Sequence, residues 1–90
     1  MPDITFLPDE RPDRTIGLMR FSACVDGKKI DCAVSFRALI VPFRGDIYNP
    51  EGTFKANRPR IEHVAANKIM HALFEPDETI LIRAEDFLKQ

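Results

Sequence analysis

The sequence predicts one α+β domain over residues 1–90, in which a small, mainly antiparallel sheet is covered on one face by one long amphipathic helix. Two runs of alternating apolar and polar residues flank Asp26-Gly27, and this dipeptide favours the tight two-residue turn of a β-hairpin. An apolar stripe at helical spacing runs from Phe54 to Ala72. Together these observations indicate elements in the order β-β-β-α-α-β.

The hairpin turn determines which residues face each other. A two-residue loop pairs Val25 with Lys28, so Phe21 lies opposite Cys32 and both face the core. A slip of one residue would turn every apolar side chain of one strand outward. Cys24 points to the other face of the ribbon, and we therefore expect no disulfide between the two cysteines.

The remaining elements follow from shorter signals. Before the hairpin we predict a strand at residues 4–7 and a loop at 8–14. After it we predict a short helix capped by Ser35 and ended by Pro42, a loop at 43–52, and the main helix from a Thr53 cap to about residue 73 or 74. A strand at 79–83 and a helical turn at 84–90 complete the chain. An interior proline costs a helix roughly 3 kcal/mol. Pro59 therefore predicts a kink or a restart near Asn57–Arg58.

Composition and charge disfavour two classes of partner. Thirteen basic and fourteen acidic residues give a formal charge of −1, so no overall field draws the chain to nucleic acid or to an anionic membrane. The longest apolar stretch, residues 38–43, is far too short to span a bilayer. The N-terminal residues lack the pattern of a signal peptide, and we expect a cytoplasmic protein.

Two charged residues, Arg58 and Lys68, fall near the centre of the predicted apolar stripe. In a structural interpretation their stems reach the surface at the edges of the stripe, or Arg58 pairs with a carboxylate such as Asp46 or Asp86. In a functional interpretation they line a pocket for an anion or an acidic partner. We prefer the structural interpretation, because such residues are rarely buried without a partner.

Patterns of catalytic or metal-binding residues are weak. His63 and His71 are eight residues apart, whereas two ligands on one helix face need a spacing of three or four. We therefore expect no metal and no cofactor. A nucleophile such as Cys24 or Ser22 needs a base within reach, and the sequence places neither histidine near it. These observations favour a non-enzymatic role.

A basic cluster, formed by Lys55, Arg58 and Arg60 with Arg37 and Arg44 upstream, raises the question of nucleic-acid binding. Readers of nucleic acid usually add exposed aromatic side chains or a recognisable module. Here the aromatic residues occupy core-facing positions, so a solvated helix face is the preferred interpretation.

The residues resemble a family of short bacterial proteins known as domain of unknown function 1488. The resemblance is carried by Phe21-Ser-Ala-Cys-Val-Asp-Gly-Lys-Lys-Ile-Asp-Cys-Ala-Val-Ser35, Ala38-Leu39, Phe43-Arg-Gly-Asp46, Phe54, Arg58, Ile61-Glu62 and Ala65, with Ile4 and Phe6 at the start and an apolar strand at the end. It implies a bacterial, cytoplasmic protein of α+β fold, and it implies no activity, cofactor or catalytic residue.

The working hypothesis is a non-enzymatic protein-binding or regulatory module. It uses Arg44, Asp46 and Tyr48, because loops that combine aromatic and charged residues are frequent interaction surfaces, together with Arg58 on the neighbouring helix. The partner is an unidentified protein, and a homodimer is left open. The alternative is a small-ligand or anion-binding protein that uses Arg58, Lys68 and Asp46.

Overall fold

A computed structural model describes residues 3–46 and 48–88, within which a five-stranded mixed sheet is combined with four helices. The elements are β1 (Ile4–Phe6), β2 (Arg11–Asp13), β3 (Leu18–Val25), β4 (Lys28–Ser35), α1 (Phe36–Phe43), α2 (Pro50–Ala56), α3 (Arg58–Met70), β5 (Ile80–Ile82) and α4 (Ala84–Leu88). The α+β class is the predicted one. The predicted helical turn at 84–90 is present as α4, and residues 89 and 90 lie outside the described part.

The β3–β4 hairpin has the predicted register at every pair, including Phe21 opposite Cys32. Asp26 and Gly27 have φ angles of 50° and 85°, the left-handed conformations that a type I′ turn requires. Phe21 and Cys32 are both buried, and Cys24 and Cys32 are free thiols. The turn chemistry and the alternation therefore fixed the same register.

Two short strands, β1 and β2, pair with β3 on the edge opposite to β4. Between β1 and β2 the backbone bulges away from β3. There the Asp9 carboxylate, in place of a backbone carbonyl, accepts a hydrogen bond from Ser22 N–H at 3.0 Å, and it accepts a second one from Ser22 Oγ at 2.6 Å. Leu7 N–H donates to the Ser22 carbonyl at 3.0 Å. A side chain thus completes the ladder where the strand is interrupted.

The prediction of a loop at 8–14 was wrong at β2. The triplet Arg11-Pro12-Asp13 carries no apolar alternation, and proline argues against a central strand. On the edge of a sheet the missing N–H of Pro12 can face solvent, so the strand forms without loss of a ladder bond.

The last strand, β5, runs parallel to β4, so the sheet is mixed, with three antiparallel pairings and one parallel pairing in the described residues. Its register places Ile80 opposite Cys32 and Ile82 opposite Val34. The chain reaches β5 by crossing over through α1, α2 and α3, and a helical crossover returns a strand in the parallel direction.

Ser35 caps α1 as predicted, and its Oγ accepts a hydrogen bond from Ala38 N–H at 3.1 Å. The helix passes the expected stop at Pro42 by one residue, because a proline in the last turn removes only one hydrogen bond. Arg44, with a φ of 53°, then ends the helix in the left-handed conformation.

The predicted main helix is divided into α2 and α3, and the break lies at Asn57, where Pro59 indicated a restart. The expected start at Thr53 was wrong. Asn49 caps α2 through a 3.1 Å hydrogen bond from Gly52 N–H, and Pro50 occupies the first helical position, where its missing N–H costs nothing.

The helix α3 ends at Met70, three or four residues before the expected end at residue 73 or 74. Ala72 adopts a φ of 55°, and Leu73 N–H donates to the Lys68 carbonyl at 2.9 Å, which closes the helix in a Schellman motif. The apolar stripe otherwise faces the sheet as expected, except that Ala72 is exposed.

The core lies between the inner face of the sheet and the helices. Its buried members are Met19, Phe21, Ala23, Cys32, Val34, Ala38, Leu39, Phe54, Ile61, Val64, Ala65, Ile69, Ile80, Ile82 and Phe87. No helix in the described ranges is long and apolar enough to cross a membrane.

Candidate functional site

Residues 44–46 and 48–49, between α1 and α2, are called here the interhelix loop. It carries Arg44, Asp46 and Tyr48, which the sequence singled out, and all three are exposed. The Tyr48 side chain is 87% exposed, the largest exposed fraction among the large apolar and aromatic side chains that the structure describes. The loop thus presents an aromatic ring and a guanidinium close together along the chain.

Hydrogen bonds to Asp46 hold the interhelix loop. The Asp46 carboxylate accepts from Tyr48 N–H at 2.8 Å, and the Asp46 carbonyl accepts from Asn49 N–H at 3.0 Å. The Asp46 N–H donates to Thr53 Oγ1, 3.3 Å away, on α2. Asp46 therefore shapes the loop and ties it to the next helix.

Gly45 fixes the position of the loop against both helices. A Cβ atom at this residue would lie 2.8 Å from the Leu39 carbonyl oxygen and 2.6 Å from Thr53 Cγ2. A Cβ atom essentially never comes this close to another heavy atom, so a side chain at this position would force α1 or α2 to shift. Arg44 and Asp46, on either side of Gly45, are consequently displayed on a backbone that lies against both α1 and α2.

Arg58, at the start of α3, contacts three groups of its own chain. Its guanidinium forms an ion pair with Glu10, donates to Glu62 Oε2 at 2.6 Å and donates to the Leu7 carbonyl at 2.6 Å. The hydrogen bond from Arg58 holds the pKa of Glu10 below its usual value. Arg58 also lies over the ring of Phe54, 5.4 Å from the centroid. It ties α3 to the bulged edge of the sheet.

Lys68 is buried on α3, with a 9% exposed fraction. Its Nζ lies 3.0 Å from Asp86 Oδ2 and 3.0 Å from the Leu81 carbonyl oxygen. Asp86 also accepts from Arg83 N–H at 2.7 Å and so caps α4. Lys68 thus joins α3, β5 and α4.

The structure separates the residues that the sequence grouped. Arg44, Asp46 and Tyr48 share the interhelix loop, whereas Arg58 and Lys68 sit on α3 with partners of their own. Arg58 pairs with carboxylates as the structural interpretation expected, but its partners are Glu10 and Glu62 and not Asp46 or Asp86. The spacing of four residues between Arg58 and Glu62 was a usable signal. Glu10, 48 residues away, left no signal in the sequence.

Two members of the predicted basic cluster are likewise engaged within the chain. Arg58 is ion-paired, and the Arg60 guanidinium lies over two rings, 5.3 Å from the centroid of Phe43 and 5.7 Å from that of Phe87. The two rings meet edge to face at 4.9 Å, so Arg60 covers the contact between α1 and α4.

The Cys32 thiol and the His71 imidazole each have a hydrogen-bond partner within their own strand or helix. Burial raises the pKa of the Cys32 thiol to about 12. His71 Nδ1 lies 2.8 Å from the Asn67 carbonyl of its own helix. Among residues 3–46 and 48–88, no group of three or more histidine, cysteine, aspartate or glutamate side chains is placed to hold a metal ion.

Two hollows adjoin strand β4 on the side of β5. One, of about 440 Å³, lies on the outer face of the sheet between Leu18, Ala33 and Leu81. The other, of about 480 Å³, lies between residues 28–31 of β4 and the segment that carries Phe74 and Thr79. Charged side chains, among them Asp31 and Asp77, line both hollows.

Fold and site together describe a small α+β protein with a helix-covered mixed sheet and an exposed, anchored loop. Comparison with known proteins places it more narrowly. The profile of the family described as "Protein of unknown function (DUF1488)" matches residues 4–82, and the chain belongs to this family.

A solved structure has the same fold. The crystal structure of a protein of unknown function from the DUF1488 family of Shewanella loihica PV-4, at 1.60 Å resolution, is similar with a TM-score of 0.80 and 22% sequence identity. The similarity covers 88% of this chain and 90% of that one. No curated protein matched the chain.

Proposed function

We propose that this protein is a non-enzymatic binding module of the bacterial cytoplasm, and that it binds a protein partner through the interhelix loop. The observation that carries the proposal is the display of Tyr48 on an anchored backbone. Its ring is 87% exposed, while its own N–H is held by Asp46 at 2.8 Å. An exposed aromatic ring on a fixed backbone loses little entropy when a partner covers it.

Arg44 supports the same surface. It is exposed and takes a φ of 53°, a conformation that costs an L-residue roughly 1 kcal/mol and that glycine would adopt freely. Tyrosine and arginine are the residue types that most often carry binding energy at protein interfaces. Arg44 and Tyr48 lie four positions apart in the chain and are both exposed, so the interhelix loop offers one residue of each type to a partner.

The alternative, a small-ligand or anion-binding protein, has less support. Arg58 already contacts Glu10, Glu62 and the Leu7 carbonyl, and Lys68 already contacts Asp86. A bound anion would have to displace these carboxylates. Asp46 contributes its own oxygen to the backbone of the loop.

A photo-crosslinking residue at position 48 tests the proposal in cells of the natural host. We expect one protein, which includes the case of a second copy of this chain, to crosslink at position 48. The same residue at position 63, an exposed site on α3, is the matched control and should leave that protein uncaptured.

Competition makes the test specific. Excess unlabelled wild-type protein should abolish the crosslink, and the Arg44→Ala/Tyr48→Ala double variant should fail to compete although it melts at the wild-type temperature. Equal crosslinking at positions 48 and 63, or full competition by the double variant, would show that the interhelix loop is the wrong surface.

A further inference from the structure

Strand β4 is much longer than its neighbour β5. β4 covers Lys28–Ser35, but β5 pairs only with Cys32, Ala33 and Val34. Within residues 3–46 and 48–88, no strand therefore lies on that side of the half of β4 next to the hairpin turn. Edges of this kind attract another strand unless they are covered.

The alternation of the hairpin shows which backbone groups are open. In a hairpin with a two-residue turn, the backbone N–H and carbonyl groups of the pair that flanks the turn, Val25 and Lys28, bond to each other. Hydrogen-bonded and non-hydrogen-bonded pairs then alternate along the two strands. The backbone groups of Lys29 and Asp31 therefore point away from β3. Ser22, opposite Asp31, confirms the alternation, because its N–H and carbonyl bond to Asp9 and Leu7 on the far side.

Three open groups result. The parallel ladder with β5 starts at the Asp31 carbonyl, which leaves the N–H and carbonyl of Lys29 and the N–H of Asp31. No hydrogen bond from residues 3–46 or 48–88 reaches these three groups, and both residues are exposed. They span about 7 Å, the rise of two strand residues.

A hollow lies directly beside these groups, and hydrogen bonds within the chain hold its far wall. Residues 28–31 form one wall, and Phe74 with residues 77–79 forms the other. In the far wall Glu75 N–H donates to the Thr79 carbonyl at 2.8 Å, and Thr79 Oγ1 donates to Asp77 at 2.6 Å. The Arg83 guanidinium forms an ion pair with the Glu75 carboxylate, with Nη2 2.9 Å from Oε1. The hollow is thus a preformed slot with one strand edge inside it.

We infer that this slot binds an extended peptide segment of a partner protein, which adds a strand to β4 at Lys29 and Asp31. A backbone in extended form supplies the donors and acceptors that the open groups require, at the same spacing. The open stretch of β4 has the length of about three residues of an added strand. This surface is separate from the interhelix loop and does not rest on the proposed function.

The side chains that line the slot determine which pattern of polar and apolar residues a bound peptide needs. Ile30 and Phe74, which is 39% exposed, offer apolar surface, while Lys29 and Asp31 project from the other face of β4. An alternating peptide fits, with an apolar residue between two polar ones. In the antiparallel direction a basic residue faces Asp31 and an acidic residue faces Lys29.

A second copy of this chain fits the slot less well. If the β4 edges of two copies paired antiparallel, Lys29 of each copy would face Asp31 of the other. Each copy would then also bring its own residues 74–79 into the slot of the other copy. A single peptide strand brings no such wall into the hollow of about 480 Å³.

Selection from a display library of random heptapeptides tests the inference. We expect wild-type protein to enrich peptides with polar–apolar–polar alternation, and the amide signals of Lys29 and Asp31 to shift in NMR spectra when a selected synthetic peptide is added. The Arg44→Ala/Tyr48→Ala variant should bind the same peptide unchanged, which separates this site from the interhelix loop.

Two variants of the slot should weaken binding of that peptide by about tenfold, the effect of losing one hydrogen bond or one apolar contact. Lys29→Pro removes an open N–H but no bond to β3, and Lys29→Ala is its matched control, which keeps the N–H and most of the affinity. Phe74→Glu changes the opposite wall without touching the strand.

Three results would overturn the inference. They are a selection that enriches no peptide, a Lys29→Pro variant that folds and binds like wild type, and a wild-type dimer that Lys29→Pro converts to monomer. The last result would assign the slot to a second copy of the chain.

Discussion

Lys68 Nζ and Asp86 Oδ2 lie 3.0 Å apart, and the two side chains are only 11% and 14% exposed. In the sequence Lys68 is an unusual charged residue on an apolar helix stripe, and in the structure its carboxylate partner, Asp86, lies on α4. Because Asp86 also caps that helix, one ion pair joins the folding of α3 to that of the C-terminal helix.

Loss of the Lys68 ammonium should be costly. Lys68→Met leaves the Asp86 carboxylate in a largely buried position without its cation, and we expect the free energy of unfolding to fall by about 3 kcal/mol. Urea denaturation at pH 7 measures this change. Lys55→Met, which removes an exposed lysine of α2, is the control and should change stability by less than about 0.5 kcal/mol. A loss below about 1 kcal/mol for Lys68→Met would mean that water reaches the pair.

A glycine after α3 should stabilise the fold. Ala72 takes a φ of 55°, which is unfavourable for alanine and free for glycine. We expect Ala72→Gly to raise the free energy of unfolding by about 0.5 kcal/mol, after the greater freedom of glycine in the unfolded chain is subtracted. Ala66→Gly, inside the same helix, should lower it by about 1 kcal/mol. Thermal melts of both variants compare the signs, and two changes of the same sign would contradict the left-handed assignment.

The free energy of unfolding should fall in acid as two carboxylates at the bulged edge of the sheet, Asp9 and Glu10, become protonated. Burial tends to raise the pKa of Asp9, but hydrogen bonds from Ser22 outweigh it, so that this pKa lies below the ordinary 3.8. The Arg58 hydrogen bond likewise holds the pKa of Glu10 below 4.5. The folded chain then binds fewer protons than the unfolded chain as the pH falls. The resulting stability is complete above about pH 5 and is lost as the pH drops through the folded-state pKa values.

Glu10→Gln isolates part of this effect. The variant should be less stable than wild type at pH 7, and its stability should decline less steeply between about pH 5 and pH 3, so the two curves approach each other in acid. Urea denaturation across this pH range gives both curves. Glu85→Gln on α4 is the control and should run parallel to wild type. Parallel curves for Glu10→Gln would contradict the role of the Arg58 contact.

The two cysteines should react at different rates. Cys32 is 2% exposed and its pKa is raised to about 12, so almost no thiolate forms at pH 8. Cys24 is partly exposed. Ellman's reagent should therefore modify one thiol per native chain quickly and the second only in denaturant. Cys24→Ser should remove the fast phase and Cys32→Ser should keep it; the reverse pattern would place the hairpin faces the wrong way round.

The hairpin was predictable because its determinants are local. Asp26-Gly27 specifies the turn, the turn specifies the pairing, and the alternation between Met19 and Val34 specifies the buried face. The cap at Ser35 and the break before Pro59 depend in the same way on one or two neighbouring residues.

Long-range relations were not predictable from one sequence. The direction of β5 depends on the crossover through three helices, and the residues Ile80–Ile82 form a strand equally well in either direction. The contact of Arg58 with Glu10 depends on the bulge that Asp9 and Ser22 create. The slot beside β4 had one available signal: the predicted last strand, residues 79–83, is shorter than the eight-residue strand it adjoins.

The hydrogen bond from Lys68 to the Leu81 carbonyl has a consequence for the chain at high concentration. It places a buried cation on the outward side of β5, while Pro12 and the Asp9 carboxylate interrupt the opposite margin of the sheet. These two stretches are therefore poor templates for cross-β growth, so pairing between crowded molecules should be confined to the open groups of Lys29 and Asp31 on β4.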